Sequence, residues 1–178
     1  MKAQATEVSS VPEAEKIIAT PTADQLAKAA EVIKHNVAWS AGAGMLPLPG
    51  LDLVAITGVQ LKMINELCSA FGIPFKKSLA RPIVVSLIGS LGATMLAPVL
   101  ASTTFKLVPG IGMLLSGTAL AATSAGITYA IGNLFLDHFK AGGSLEDFNL
   151  VAGRGIFKRK VKEGMAETAA AKEEVVAA

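Results

Sequence analysis

Few residues in this 178-residue sequence are spaced to do chemistry. Its two histidines, His35 and His138, lie far apart, and neither has a Cys or second His at ligand spacing. A metal site built on them is therefore not expected. No Ser–His–acid arrangement can be assembled from neighbouring motifs. Gly42-Ala-Gly44 and Gly110-Ile-Gly112 are glycine-rich, but neither completes a dinucleotide fingerprint or a phosphate loop ending in Lys-Ser/Thr. They read as close packing or turns. The single cysteine, Cys68, excludes a disulfide framework and a multi-thiolate site, and reads as a small core residue. The expectation is a non-enzymatic chain with no catalytic residue, no metal and no cofactor.

Asp52 stands apart from that inventory. A carboxylate inside an apolar stretch is costly and points to a proton or ion path. The same residue directly follows Pro49-Gly50-Leu51, where it can cap a helix or complement the helix dipole from the first turn. Both readings stand at this level.

The elements that carry these residues are set by where charge is missing. Hydrophobic residues make up 52% of the chain and charged residues 17%, against roughly 25% charged in ordinary soluble domains. A mean hydropathy of +0.53 agrees. The net charge of +2 is too small to argue for nucleic acid. From Val37 to Leu61 the only charge is Asp52, and from Pro82 to Leu136 the only charge is Lys106. Ile83–Thr104 and Ile111–Leu136 each exceed the roughly 20 apolar residues that cross a hydrocarbon core. Neither shows the polar stripe of a surface helix. A soluble bundle with two buried helices is the alternative.

The expected fold is all-α: a helical membrane protein of two helix–Pro-Gly–helix hairpins, one shallow or re-entrant and one spanning. Residues 1–21 read as a flexible arm without a signal-peptide pattern. Thr22-Ala-Asp-Gln25 fits a capping box that opens the helical domain of residues 22–150. The first hairpin covers 22–72 and turns at Pro47, Pro49 and Gly50; the second covers 82–139 and turns at Pro109 and Gly110. Leu48-Pro49-Gly50-Leu51 is echoed by Val108-Pro109-Gly110-Ile111, through duplication or through two independent turns. The run from Val37 to Pro47 is about 16 Å long as a helix, too short to cross alone. Pro98 is expected to kink the first arm of the second hairpin.

Small side chains recur every fourth residue on both arms of that hairpin. Gly89, Ala93, Ala97 and Ala101 form one ridge, and Thr118, Ala122, Gly126 and Ala130 the other. Such ridges let helices approach closely in lipid, within one hairpin or between copies, so a homo-oligomer is expected. Residues 151–178 read as a basic, then Ala/Glu-rich tail. Its Arg154, Lys158, Arg159, Lys160 and Lys162 suit anionic lipid headgroups. With Lys76, Lys77 and Arg81 on the other flank, the positive-inside rule places both termini in the cytoplasm.

Several runs together carry a family resemblance. Trp39-Ser-Ala-Gly-Ala-Gly-Met-Leu-Pro-Leu-Pro-Gly-Leu-Asp52, Gln60-Leu-Lys-Met-Ile-Asn-Glu-Leu67 and Phe71-Gly72 resemble the bacterial membrane family called domain of unknown function 697. So do Val108-Pro-Gly-Ile-Gly112, Thr128-Tyr-Ala-Ile-Gly132 and Phe139-Lys-Ala-Gly-Gly143. The likeness covers about residues 25–150 and keeps motif order. It implies a helical domain of a bacterial inner membrane, often beside or fused to Era-like or dynamin-like GTPase domains. The family has no established activity, so it transfers no catalytic residue. This chain has no GTPase motif, and a GTPase would have to be a separate partner. A membrane-organising or partner-anchoring protein is the leading expectation, with lipid bilayer and like copies as partners. A small channel or transporter with Asp52 on its path is the alternative.

Overall fold

A computed structural model describes residues 20–44, 52–92 and 111–177 of the chain. They form α1 (Ala23–Gly44), α2 (Asp52–Phe71), α3 (Lys77–Gly89), α4 (Ile111–Lys140) and α5 (Leu150–Ala177). No strand occurs among the described residues. The all-helical expectation is met, and the local signals explain the boundaries.

Thr22 caps α1 as the sequence indicates. The Gln25 backbone N–H donates to Thr22 Oγ1 at 3.2 Å, while the Thr22 N–H donates to Gln25 Oε1 at 2.9 Å. The far end of α2 closes on Gly72, whose φ of 67° only glycine adopts freely. The N–H groups of Gly72 and Ile73 reach back to the carbonyls of Ser69 and Cys68, which satisfies the last turn. The same closure ends α4 at Gly142. Ser144, expected to start the next helix, instead closes a turn of its own. Its N–H and hydroxyl both donate to Asp147 Oδ1. The cap of α5 is Asn149, which accepts from the N–H groups of Val151 and Ala152.

The expected C-terminal tail is a helix with a large packed face. Phe157 and Val161 of α5 are buried against α4, and α4 also touches α1 and α2. The core is continuous: Ile33 from α1, Met63 and Leu67 from α2, Val84 and Leu87 from α3, Ile131 and Phe135 from α4. The helix α3 packs chiefly on α2 and α5.

Contacts fix the relative directions. Asn36 pairs with Glu66, and Ser40 meets Gln60 through Thr128, so α1 and α2 are antiparallel. A Cβ at Gly132 would sit 2.8 Å from Ile33 Cγ1, and Thr128 meets Ser40, so α1 and α4 are antiparallel too. Pairing of Tyr129 with Gly164 and Asp137 with Lys160 sets α5 antiparallel to α4. The ion pair of Lys76 with Glu146 and the Arg154–Ser86 hydrogen bond run α3 alongside α5 in the same sense. One pole of the bundle therefore gathers the starts of α1, α3 and α5 and the ends of α2 and α4.

One expectation needs correcting. Among the described residues no helix is long and apolar enough to cross a membrane, which leaves the spanning second hairpin without support. Its first arm is α3, whose 13 residues reach only about 20 Å. Its second arm, α4, buries Thr123, Ser124 and Thr128 within the protein. The apolar run there serves a protein core on the faces met by α1, α2 and α5.

Candidate functional site

The charge map and the helix directions combine into one feature. Asp24, Lys28, Glu31 and Lys34 lie toward the start of α1, and Lys62 and Glu66 in the second half of α2. Lys76, Lys77 and Arg81 open α3, and Asp137 and Lys140 close α4. All of these fall toward the same pole. At the opposite pole α1 ends with Trp39-Ser-Ala-Gly-Ala-Gly44, α2 begins, α3 ends with Val85-Ser-Leu-Ile-Gly89, and α4 begins. Asp52 is the sole charge those four helix ends carry. The stretches 45–51 and 93–110 join helix ends at this pole and hold no charge except Lys106.

Trp39 sits near that pole, 64% exposed, with only an edge contact to His35 at 6.5 Å. A large amphipathic ring left in the open suits a membrane–water boundary. Charges on α5 limit how deep such a boundary lies. Glu163 and Glu167 act on the Tyr129 phenol, so they lie at its level on α4. Burial, together with those two carboxylates, pushes that phenol up from its ordinary range.

Inside the bundle a polar seam runs between α1, α2 and α4. The Asn36 amide donates to Glu66 Oε2 at 2.9 Å, and Lys62 holds the other carboxylate oxygen at 2.6 Å. Burial works to raise the Glu66 pKa, but the hydrogen bonds from Lys62 and Asn36 and nearby positive charge outweigh it and hold the carboxyl low. Further along, the Thr128 hydroxyl donates to the Ser124 carbonyl at 2.9 Å. It accepts from the Gln60 amide at 2.7 Å and from Ser40, whose hydroxyl lies 2.6 Å away. Gln60 is fully buried and its Oε1 has no partner. Only the Asn36 and Glu66 positions in this seam were visible as polar breaks in apolar helices; the meeting of Ser40, Gln60 and Thr128 depends on helix register. Cys68 is buried in the same helix and its thiol is pushed up to about 11 by desolvation, which keeps it an inert core group.

The residues singled out in the sequence fall in separate places. Pro47, Pro49, Gly50, Pro109, Gly110, Ala93, Ala97 and Ala101 lie outside the described residues. Asp52 opens α2, in the first-turn position that a dipole-complementing acid takes, and its side-chain contacts lie outside the described set. Thr118 is helical, also without a described side chain. Gly89 faces open space. Ala122 is half-buried and Ala130 buried, while a Cβ at Gly126 would lie 2.5 Å from Met165 Cγ and 3.0 Å from the Val161 carbonyl. The α4 ridge thus receives α5, a neighbour that a reading of residues 151–178 as a tail could not supply.

The basic residues lie along α5. Lys158, Arg159 and Lys162 are exposed, and Arg154 donates to Ser86 Oγ at 2.8 Å. Lys160 turns inward to Asp137 at 2.9 Å. Val151, 81% exposed, continues the outward stripe of Lys158 and Lys162.

Comparison with known proteins agrees with this reading of a helical, membrane-related chain. Residues 11–160 match the family described as a domain of unknown function, DUF697. The chain is 32% identical over 157 residues to magnetosome membrane protein 22 of Magnetospirillum gryphiswaldense, covering 86% of this chain and 80% of the relative. No solved structure gives a significant match.

Proposed function

The chain belongs to the domain of unknown function 697 family, and from that premise we propose that it is a membrane-organising protein without enzymatic activity. The observation that carries the reading is the segregation of charge. Four helix ends carrying one carboxylate between them converge on one pole, with Trp39 exposed beside it. The two stretches that join those ends, centred on the Pro-Gly turns at 49–50 and 109–110, enter the bilayer from the cytoplasmic side. Glu163 and Glu167 stay in the headgroup layer and stop deeper burial, because carboxylates in hydrocarbon are costly. Arg154, Lys158, Arg159 and Lys162 meet anionic headgroups. The name of the magnetosome membrane relative supports a membrane location.

Copies associate through small-residue surfaces that the fold leaves open, such as Gly89 on α3. A separate GTPase is a partner that such an assembly would anchor. Cell fractionation with a carbonate wash, followed by sizing in mild detergent, tests the proposal. A protein that pellets with membranes, resists carbonate and sizes above a monomer is expected. Recovery in the supernatant before any detergent overturns it.

The buried seam favours a second reading, a small channel or transporter. Gln60, with its unpartnered oxygen, lies two turns along α2 from Asp52. Ion flux through liposomes that is abolished by Asp52→Asn would establish it over the first.

A further inference from the structure

A groove of about 560 Å³ lies between α1 and α5, over α4, and neither reading above uses it. Its apolar lining comes from Ile33, Val37, Ala38 and Leu136, among others. Along α1 it runs from Ala30 to Ala41, about 16 Å at 1.5 Å per residue. Half of a roughly 30 Å hydrocarbon core is about 15 Å, so the groove has the length of one leaflet's acyl chain. It also runs toward the charge-poor pole, since Ala41 is nearer that pole than Ala30.

Two groups of opposite sign stand on its opposite walls: Lys34 on α1 and Glu167 on α5. No ion pair among the described residues joins them or gives Lys34 another partner. The Glu167 carboxylate is oriented by a hydrogen bond from the Tyr129 phenol on the floor. Separated opposite charges across an apolar slot complement a zwitterion, and a purely anionic headgroup would be repelled by Glu167.

We propose that this groove binds one acyl chain of a phosphoethanolamine-headed phospholipid, with the phosphate at Lys34 and the ammonium at Glu167. It rests on the membrane association proposed above. A hydrogen-bonding ammonium suits the carboxylate better than a choline head, whose methyl groups block donation.

Titration calorimetry of the full-length protein in mild detergent tests it. The probes are short-chain phosphatidylethanolamine, phosphatidylglycerol and phosphatidylcholine, with tail-free phosphoethanolamine as the headgroup arm. Phosphatidylethanolamine is expected to bind about tenfold tighter than either other lipid, and the tail-free head not to bind measurably. Lys34→Glu and Glu167→Lys should each weaken binding about tenfold, and the double reversal should restore most of it. Ala38→Leu should block the slot while leaving helix content unchanged. Equal binding of phosphatidylglycerol, or a double reversal no better than the single variants, overturns the proposal. Failure of the membrane reading shows separately, as recovery in the supernatant on fractionation.

Discussion

The Asn36 amide on α1 hydrogen-bonds the Glu66 carboxylate on α2 at 2.9 Å, joining the two antiparallel helices on the charged side of the seam. Asn36 is also tied to its own helix through the Val32 carbonyl at 2.9 Å, so its side chain is fixed from both sides. Replacing it by leucine removes a donor from a partly buried carboxylate. Asn36→Leu is expected to lower stability by about 1–3 kcal/mol in denaturant unfolding. The pH dependence follows from the lowered Glu66 pKa. Its contribution is complete above the ordinary value of 4.5 and is lost as pH falls through the lower folded value. In the leucine variant, unfolding midpoints recorded across that range should fall less steeply than in the wild type.

Glycines of one type do opposite work in this bundle. A Cβ at Gly164 would lie 2.8 Å from Tyr129 Cβ, an atom fixed to its own helix, so α4 and α5 would have to separate. Gly164→Ala is expected to cost about 1–3 kcal/mol, as overpacking does. Gly58, inside α2, has nothing within 4 Å of its would-be Cβ. There alanine removes only backbone freedom, and Gly58→Ala should raise stability by about 0.5–1 kcal/mol. Thermal melts of the two variants should shift in opposite directions.

Thr128 is the shared acceptor of the inner seam, and Gln60 is the member with a wasted atom. Thr128→Val leaves the Ser40 hydroxyl and the Gln60 amide without their buried acceptor, at about 1–3 kcal/mol for each donor. Gln60→Met loses one hydrogen bond but also removes an oxygen that is buried without a partner. It should stay within about 1.5 kcal/mol of wild type. Unfolding measurements ranking Gln60→Met below Thr128→Val would contradict the assigned bonds.

Local chemistry made the helix limits legible. The Thr22–Gln25 pair announced the start of α1, and Gly72 and Gly142 announced two ends, because each signal lies within a few residues of the atoms it satisfies. The charge-poor stretches were equally plain, yet their meaning depended on partners. Thr123, Ser124 and Thr128 read as residues tolerated in lipid, whereas α1 and α2 cover them. The partner of the α4 ridge was hidden because α5 has only a weak amphipathic pattern: its buried residues, Gly153, Phe157, Val161 and Gly164, include two glycines that look like breaks. A groove that needs Lys34 and Glu167 on facing walls has no signature in one dimension at all.

The outward stripe of α5 sets a final expectation. Arg154, Lys158 and Lys162 are spaced four apart, which brings them along one side of the helix, and Val151 precedes them on it. None of the three has an ion-pair partner among the described residues, so their charge is free to act outward. Each basic residue near an anionic surface contributes about 1 kcal/mol, roughly fivefold in affinity. Replacing all three by glutamine should weaken binding to phosphatidylglycerol-containing vesicles about 100-fold in a flotation assay. Binding to neutral phosphatidylcholine vesicles should be unchanged, because there only the apolar pole acts. Added salt should reproduce the loss in the wild-type protein, since exposed charges are screened within about 10 Å at 0.1 M ionic strength. Equal loss on neutral vesicles would mean that the stripe holds the fold together and does not read the headgroups.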